Sequence, residues 1–282
     1  MKFSERIGKN QPKVEIQLDF MDQELKNSLW NVVCMFITEP MERQQYFYES
    51  TFKSFVERIW FSFLKEPIDQ IPFFTNRISN ELRNRFFSWN FLETYDFIDF
   101  VASMEGPFDN EEFIKACNFI LKRELSGYRF VNGQLSPITN DQEIDQIEKA
   151  ITSASEKGLV GVKTHLSEAL NKLSHKKSPD YRNSIKESIS AVESICQVIT
   201  GDSKAELGKT LKTLSRKLPI HGALEQGFMK IYGYTSDGDG IRHAIMDESN
   251  LDQEDALFML ISCSSFINYL ITKANKTGIE LN

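Results

Sequence analysis

Cysteine is scarce and scattered. The 282-residue chain has four, Cys34, Cys117, Cys196 and Cys263, none in a Cys-x-x-Cys pair and each inside an apolar, helix-spaced stretch. That arrangement argues against a zinc-ligand set or a disulfide framework and predicts buried free thiols. No apolar run reaches the roughly 18 residues of a membrane span, and Met1-Lys2-Phe3 opens no basic-then-apolar leader. The expectation is a soluble, cytoplasmic protein with no membrane partner. Repeats of solenoid length are missing too. So is an excess of positive charge: 33 Lys and Arg stand against 40 Asp and Glu, for a net charge of −7. This argues against coating nucleic acid by bulk attraction, which needs clustered cations. Two local basic runs remain, Lys204, Lys209, Lys212, Arg216 and Lys217, and Lys172, Lys176 and Lys177. Both read as solvated helix faces.

Phenylalanine, in contrast, is plentiful and uneven. Of the 22, nineteen lie at or before Phe130, and only Phe228, Phe258 and Phe266 follow. Two separately built cores would leave such a shift, and the chain is long enough for both. In the first half, apolar residues recur at helical spacing: Leu25, Leu29, Val32 and Phe36, then Tyr48, Phe52, Phe55 and Ile59. Pro40, Pro67, Pro72 and Pro107 punctuate these blocks. Trp30, Trp60 and Trp89 lie in them as expected core anchors.

The one strand signal falls between the halves, from Tyr128 to Ile138. Asn132-Gly133 is the preferred two-residue turn of a type I′ hairpin, with β-forming residues on either side. Asn140, followed three residues later by Glu143, predicts a capping box at a new helix. The expected fold is therefore mainly all-α: a helical domain over 1–127, a β-hairpin linker over 128–139, and a helical bundle over 140–282.

In the second half, helices are predicted near 141–156 and 159–174, and a break at Ser178-Pro179-Asp180 precedes the most regular helix of the chain. There Ile185, Ile189, Val192, Cys196 and Ile199 form a bundle seam. A short helix follows from about Ala205 to Lys217, and another from Pro219-Ile220-His221 to Tyr232. Asp252 starts a last helix with a stripe of Leu257, Leu260, Ser264, Ile267 and Ile271. Before it stands Tyr232-Gly-Tyr-Thr-Ser-Asp237-Gly-Asp239-Gly-Ile-Arg242-His243. Its two Asp-Gly dipeptides favour a tight turn. An imidazole suited to proton transfer and a permanent cation suited to an oxyanion or phosphate then follow together. The same pair also fits a plain helix start. His165 and His175 read as a packing residue and a helix-end residue. Arg216 and His221 also bring a cation and an imidazole close in sequence, but Pro219 interrupts the helix between them.

Three stretches, residues 179–193 (PDYRNSIKESISAVE), YGYTSDGDGIRHA and ALFMLISCSSFINYLI, together resemble the C-terminal helical domain of AbiJ-like bacterial proteins, a branch of the HEPN superfamily. FSERIG at 3–8 and LKNSLWN at 25–31 are similar to the accessory domain that accompanies it. The resemblance implies a role in abortive infection, the self-limiting antiviral defence of bacteria. It also implies a small helical bundle that dimerises through the C-terminal domain, an RNA substrate, and no metal or redox cofactor. For a catalytic member it implies His243 as acid or base, Arg242 as phosphate binder and Asp237 as an orienting carboxylate. Arg182, Lys186 and Glu187 would line the RNA-facing cleft, though they also read as i, i+4 pairs on a solvated face. The usual signature separates Arg from His by four to six residues. Counting back from His243, those positions hold Gly238, Asp237 and Ser236, while Arg242 is adjacent. A non-catalytic module binding protein or nucleotide stays open beside the ribonuclease.

Overall fold

Asp22 accepts the Leu25 N–H and starts the first long helix, α1 (Gln23–Val33). The structure, a computed structural model, describes residues 15–175, 179–202, 207–236 and 251–281, with Phe3 and Lys9. Beyond Val33 the helix does not stop at Pro40. It widens into a π-helical segment, Cys34–Thr38, and resumes as Glu39–Glu42. The Glu39 N–H bonds back to the Cys34 carbonyl, a wider turn that lets the chain carry a proline without ending. Pro40 thus lies inside a helix where punctuation was expected. A second π segment, Ile59–Leu64, extends α2 (Lys53–Arg58) and closes at Lys65, which is left-handed. Tyr48, assigned by spacing to this helix, lies before it in a short 3₁₀ turn, Phe47–Glu49, and is exposed.

The chain divides into two units, Met1–Thr139 and Asn140–Asn282. The first continues with α3 (Thr75–Ser88), α4 (Phe91–Ser103), α5 (Asn110–Arg123) and the strands β1 (Arg129–Val131) and β2 (Gln134–Ser136). Its core is dominated by aromatics. Phe86 lies 5.2 Å from Trp30, 6.1 Å from Phe97 and 6.2 Å from Trp89 between ring centroids. Trp30 and Trp60 are buried; Trp89 is half-buried at the end of α3. The antiparallel hairpin pairs Phe130 with Leu135. Asn132 and Gly133 both take positive φ, the geometry their sequence predicted. Phe130 and Leu135 are buried in the aromatic core. The Asn118 side chain accepts the Phe130 N–H and donates to its carbonyl, and Asp99 accepts the Leu135 N–H. The hairpin is thus fastened into the first unit.

The second unit holds α6 (Asp141–Glu156), α7 (Val160–Ser174), α8 (Tyr181–Thr200), α9 (Leu207–Lys217), α10 (Gly222–Ser236) and α11 (Gln253–Thr277). Asn140 caps α6 through the Gln142 N–H, not through the reciprocal box with Glu143 that the spacing suggested. At α11, Asp252 and Asp255 do form such a box. The periodic residues of α8 are buried as predicted. Ser184, Ser188, Ala191 and Ile195 are buried as well, because α8 packs against both α7 and α11. Two partners need two seams. Close approach to α7 is sealed by the Ser184 hydroxyl, which donates to the Ala169 carbonyl at 2.7 Å. By length and composition α11 could cross a membrane, and about half of that stretch (56 %) is buried against neighbouring helices, as in a core helix.

Candidate functional site

Asp180 sets the geometry at the start of α8. Its carboxylate accepts the backbone N–H of Asn183 at 3.0 Å and the Asn183 side-chain amide at 2.7 Å, so the exposed N–H groups of the first turn gain an anionic partner. Its own N–H donates to the Lys172 carbonyl, tying the turn to the end of α7. Burial alone would raise the Asp180 carboxyl. The two Asn183 hydrogen bonds, with Lys172 and Arg182 nearby, instead hold it below the usual carboxylate range.

Arg182 and Lys186 follow one turn apart, Arg182 half-buried and Lys186 exposed. Glu187 is engaged across the interface: its Oε2 is 2.6 Å from Nδ1 of His165 on α7. The side chains remain 21 % and 36 % exposed respectively. A carboxylate on one imidazole nitrogen fixes the ring's orientation and leaves Nε2 as the site of proton exchange or ligand contact. Spacing along either helix could not reveal this pair, since its partners are 22 residues apart. Arg182 and Lys186 thus share α8 with Glu187, and Glu187 alone of the three is seen to reach α7, at His165.

Other candidates have separate positions. Asp237, Arg242 and His243 lie outside the described residues. The ring of His221 accepts the Ala223 N–H at 3.2 Å and serves the start of α10. Arg216 is exposed in the last turn of α9. Lys217, from the predicted basic run, donates to the carbonyls of Ile199 and Thr200 at 3.2 and 2.8 Å, complementing the negative end of α8. Among the described residues, no three His, Cys, Asp or Glu side chains gather as a metal site. Burial raises the thiols of Cys117, Cys196 and Cys263, the last to about 12, and to a smaller degree that of half-buried Cys34. A thiol held protonated by burial is a poor nucleophile.

Replacement of Asp180 by alanine is expected to cost the second unit about 1 kcal/mol through loss of the cap. The carboxylate's folded pKa is depressed, so its stabilisation is complete above the unfolded value of about 3.9 and is lost as pH falls through the lower folded value. Asp180→Asn retains a capping oxygen without the titrating charge. Urea titrations at descending pH should therefore show a shallower acid loss in D180N than in the wild type. Identical acid limbs would refute the electrostatic contribution.

A family model described as AbiJ N-terminal domain 4 matches residues 1–153. The match covers the whole first unit and runs into α6. No curated protein and no solved structure matches the chain.

Proposed function

The chain belongs to the AbiJ N-terminal domain 4 family, a membership that suggests abortive-infection defence, and from it we propose that the C-terminal unit is a HEPN-type, RNA-targeting effector regulated by the N-terminal unit. The supporting observation is the Glu187–His165 pair that joins α8 to α7, with Arg182 and Lys186 one turn apart on the same α8. Two cations offer contacts for a phosphodiester, and the dyad offers a positioned hydrogen-bonding group. In the catalytic form, His243 moves the proton of the ribose 2′-hydroxyl or the leaving oxygen. Arg242 stabilises the phosphate charge, and Asp237 orients one of them. A homodimer through the C-terminal units would bring two such segments to one cleft. No metal or redox cofactor enters this proposal.

The adjacency of Arg242 and His243 favours a second reading, a non-catalytic module that holds a protein or nucleotide in the same cleft. Full-length protein incubated with total RNA or tRNA in the presence of a chelator separates the two. The nuclease reading expects cleavage that falls at least about a hundredfold in His243→Ala, falls also in Arg242→Ala, and weakens through binding in Arg182→Ala. Equal cleavage by all preparations would eliminate the site assignment. RNA binding without cleavage would select the module.

A further inference from the structure

The first unit has an aromatic surface that its core does not need. Two extended segments pair there: Phe47 N–H donates to the Phe73 carbonyl at 2.9 Å, Thr75 N–H to Gln45 at 3.2 Å, and Tyr46 stands opposite Phe74 in an antiparallel bridge. The Thr75 hydroxyl adds a 2.7 Å bond to the Gln44 carbonyl. Phe47 and Thr75 are buried and anchor the pairing, whereas Tyr48 and Phe73 are 60 % and 51 % exposed.

Phe73 sits at the centre of the surface. Its ring centroid lies 5.2 Å from Tyr46, 5.3 Å from Phe74 and 6.0 Å from Tyr48. The Tyr46–Phe73 and Tyr48–Phe73 planes are inclined by 55° and 52°, so these rings do not consume one another's faces by parallel stacking. Cations stand over two of the rings. Lys53 Nζ is 5.4 Å from the Tyr48 ring and the Arg77 guanidinium 5.6 Å from Phe74. Lys53 reaches Glu57 only at 3.9 Å, and Arg77 makes no carboxylate pair among the described residues. Exposed apolar groups on a hydrogen-bonded frame, with cations beside them, match a ligand that alternates flat π-faces with anionic groups.

We propose that Tyr46, Tyr48, Phe73 and Phe74 form a stacking platform for single-stranded nucleic acid, with Lys53 and Arg77 meeting its phosphates. This binding site belongs to the first unit, not to the one that carries the proposed effector chemistry, and gives the N-terminal unit a ligand class of its own. Bases stack on the exposed rings, and recognition tolerates sequence because every base has a π-face.

The test is fluorescence anisotropy of the full chain with short labelled oligouridine and oligothymidine. Each of Tyr48→Ala and Phe73→Ala should raise Kd by about tenfold or more, while Tyr48→Phe keeps the ring face and stays near wild type. Arg77→Ala should lower the log–log salt slope by about 0.7. Both alanine replacements are at exposed positions, and unchanged helical circular dichroism would establish that they fold. No binding by wild type overturns the platform. Alanine variants that bind normally while Arg182→Ala and Lys186→Ala lose binding overturn it too, leaving the α7–α8 reading intact. A change confined to self-association in sedimentation assigns the surface to a protein partner and likewise overturns it.

Discussion

Replacing Phe86 with alanine is expected to destabilise the first unit by about 3–5 kcal/mol, the cost of deleting a buried phenyl ring. Phe86 is fully buried, on the inner face of α3, with Trp30, Phe87, Trp89 and Phe97 within 6.2 Å of its centroid. Rigid rings on several elements cannot easily collapse into the vacated space, so the cost should fall at the upper end. All three tryptophans, Trp30, Trp60 and Trp89, belong to this unit. Their fluorescence therefore reports its unfolding separately from the rest of the chain. The denaturant midpoint read by tryptophan emission should fall sharply in F86A. An unmoved midpoint would exclude Phe86 from the core.

The matching experiment in the second unit is Ile267→Asp. Ile267 is fully buried on α11, which packs against α6, α7 and α8. The buried polar side chains of that unit, among the described residues, are hydroxyls and one amide, Asn268. A carboxylate placed there meets no cation, and an uncompensated buried charge costs at least about 3–5 kcal/mol. Ile267→Val, which leaves only a methyl-sized gap, should cost about 1 kcal/mol. Far-ultraviolet circular dichroism should lose much of the helical signal in I267D and little in I267V, while tryptophan emission keeps its native maximum. Equal melts for the two variants would mean that Ile267 does not face the core.

Which of these features could be read from sequence depended on how local their causes are. The hairpin was legible because Asn132-Gly133 needs only its own two backbone conformations, and both are present. The α8 seam was legible because Ile185, Ile189, Val192, Cys196 and Ile199 repeat at a helical period. Ser184 and Ser188 were not, since hydroxyls break an apolar pattern even when they are buried against a second helix. Tyr48 satisfied helical spacing across a turn that periodicity cannot see. For the candidate site, Glu187 and His165 are each legible singly, but their pairing is not. His165 reaches Glu187 only once α7 and α8 lie side by side. The platform in the first unit escaped for the same reason: residues 46–48 and 73–74 are close only after the intervening helix has folded.

The π segments at Cys34–Thr38 and Ile59–Leu64 shift the phase of the helices that contain them. A turn closed by five residues instead of four carries one residue more per revolution. Side chains beyond it are therefore rotated relative to a straight continuation, as the teeth of a vernier slip against its scale. Met35 and Phe61, at the widened turns, are 61 % and 73 % exposed despite their apolar character, while Ile37 within the first and Met41 beyond it are fully buried. Restoring an ordinary α-turn at Cys34–Thr38 would require removing a residue, not replacing one.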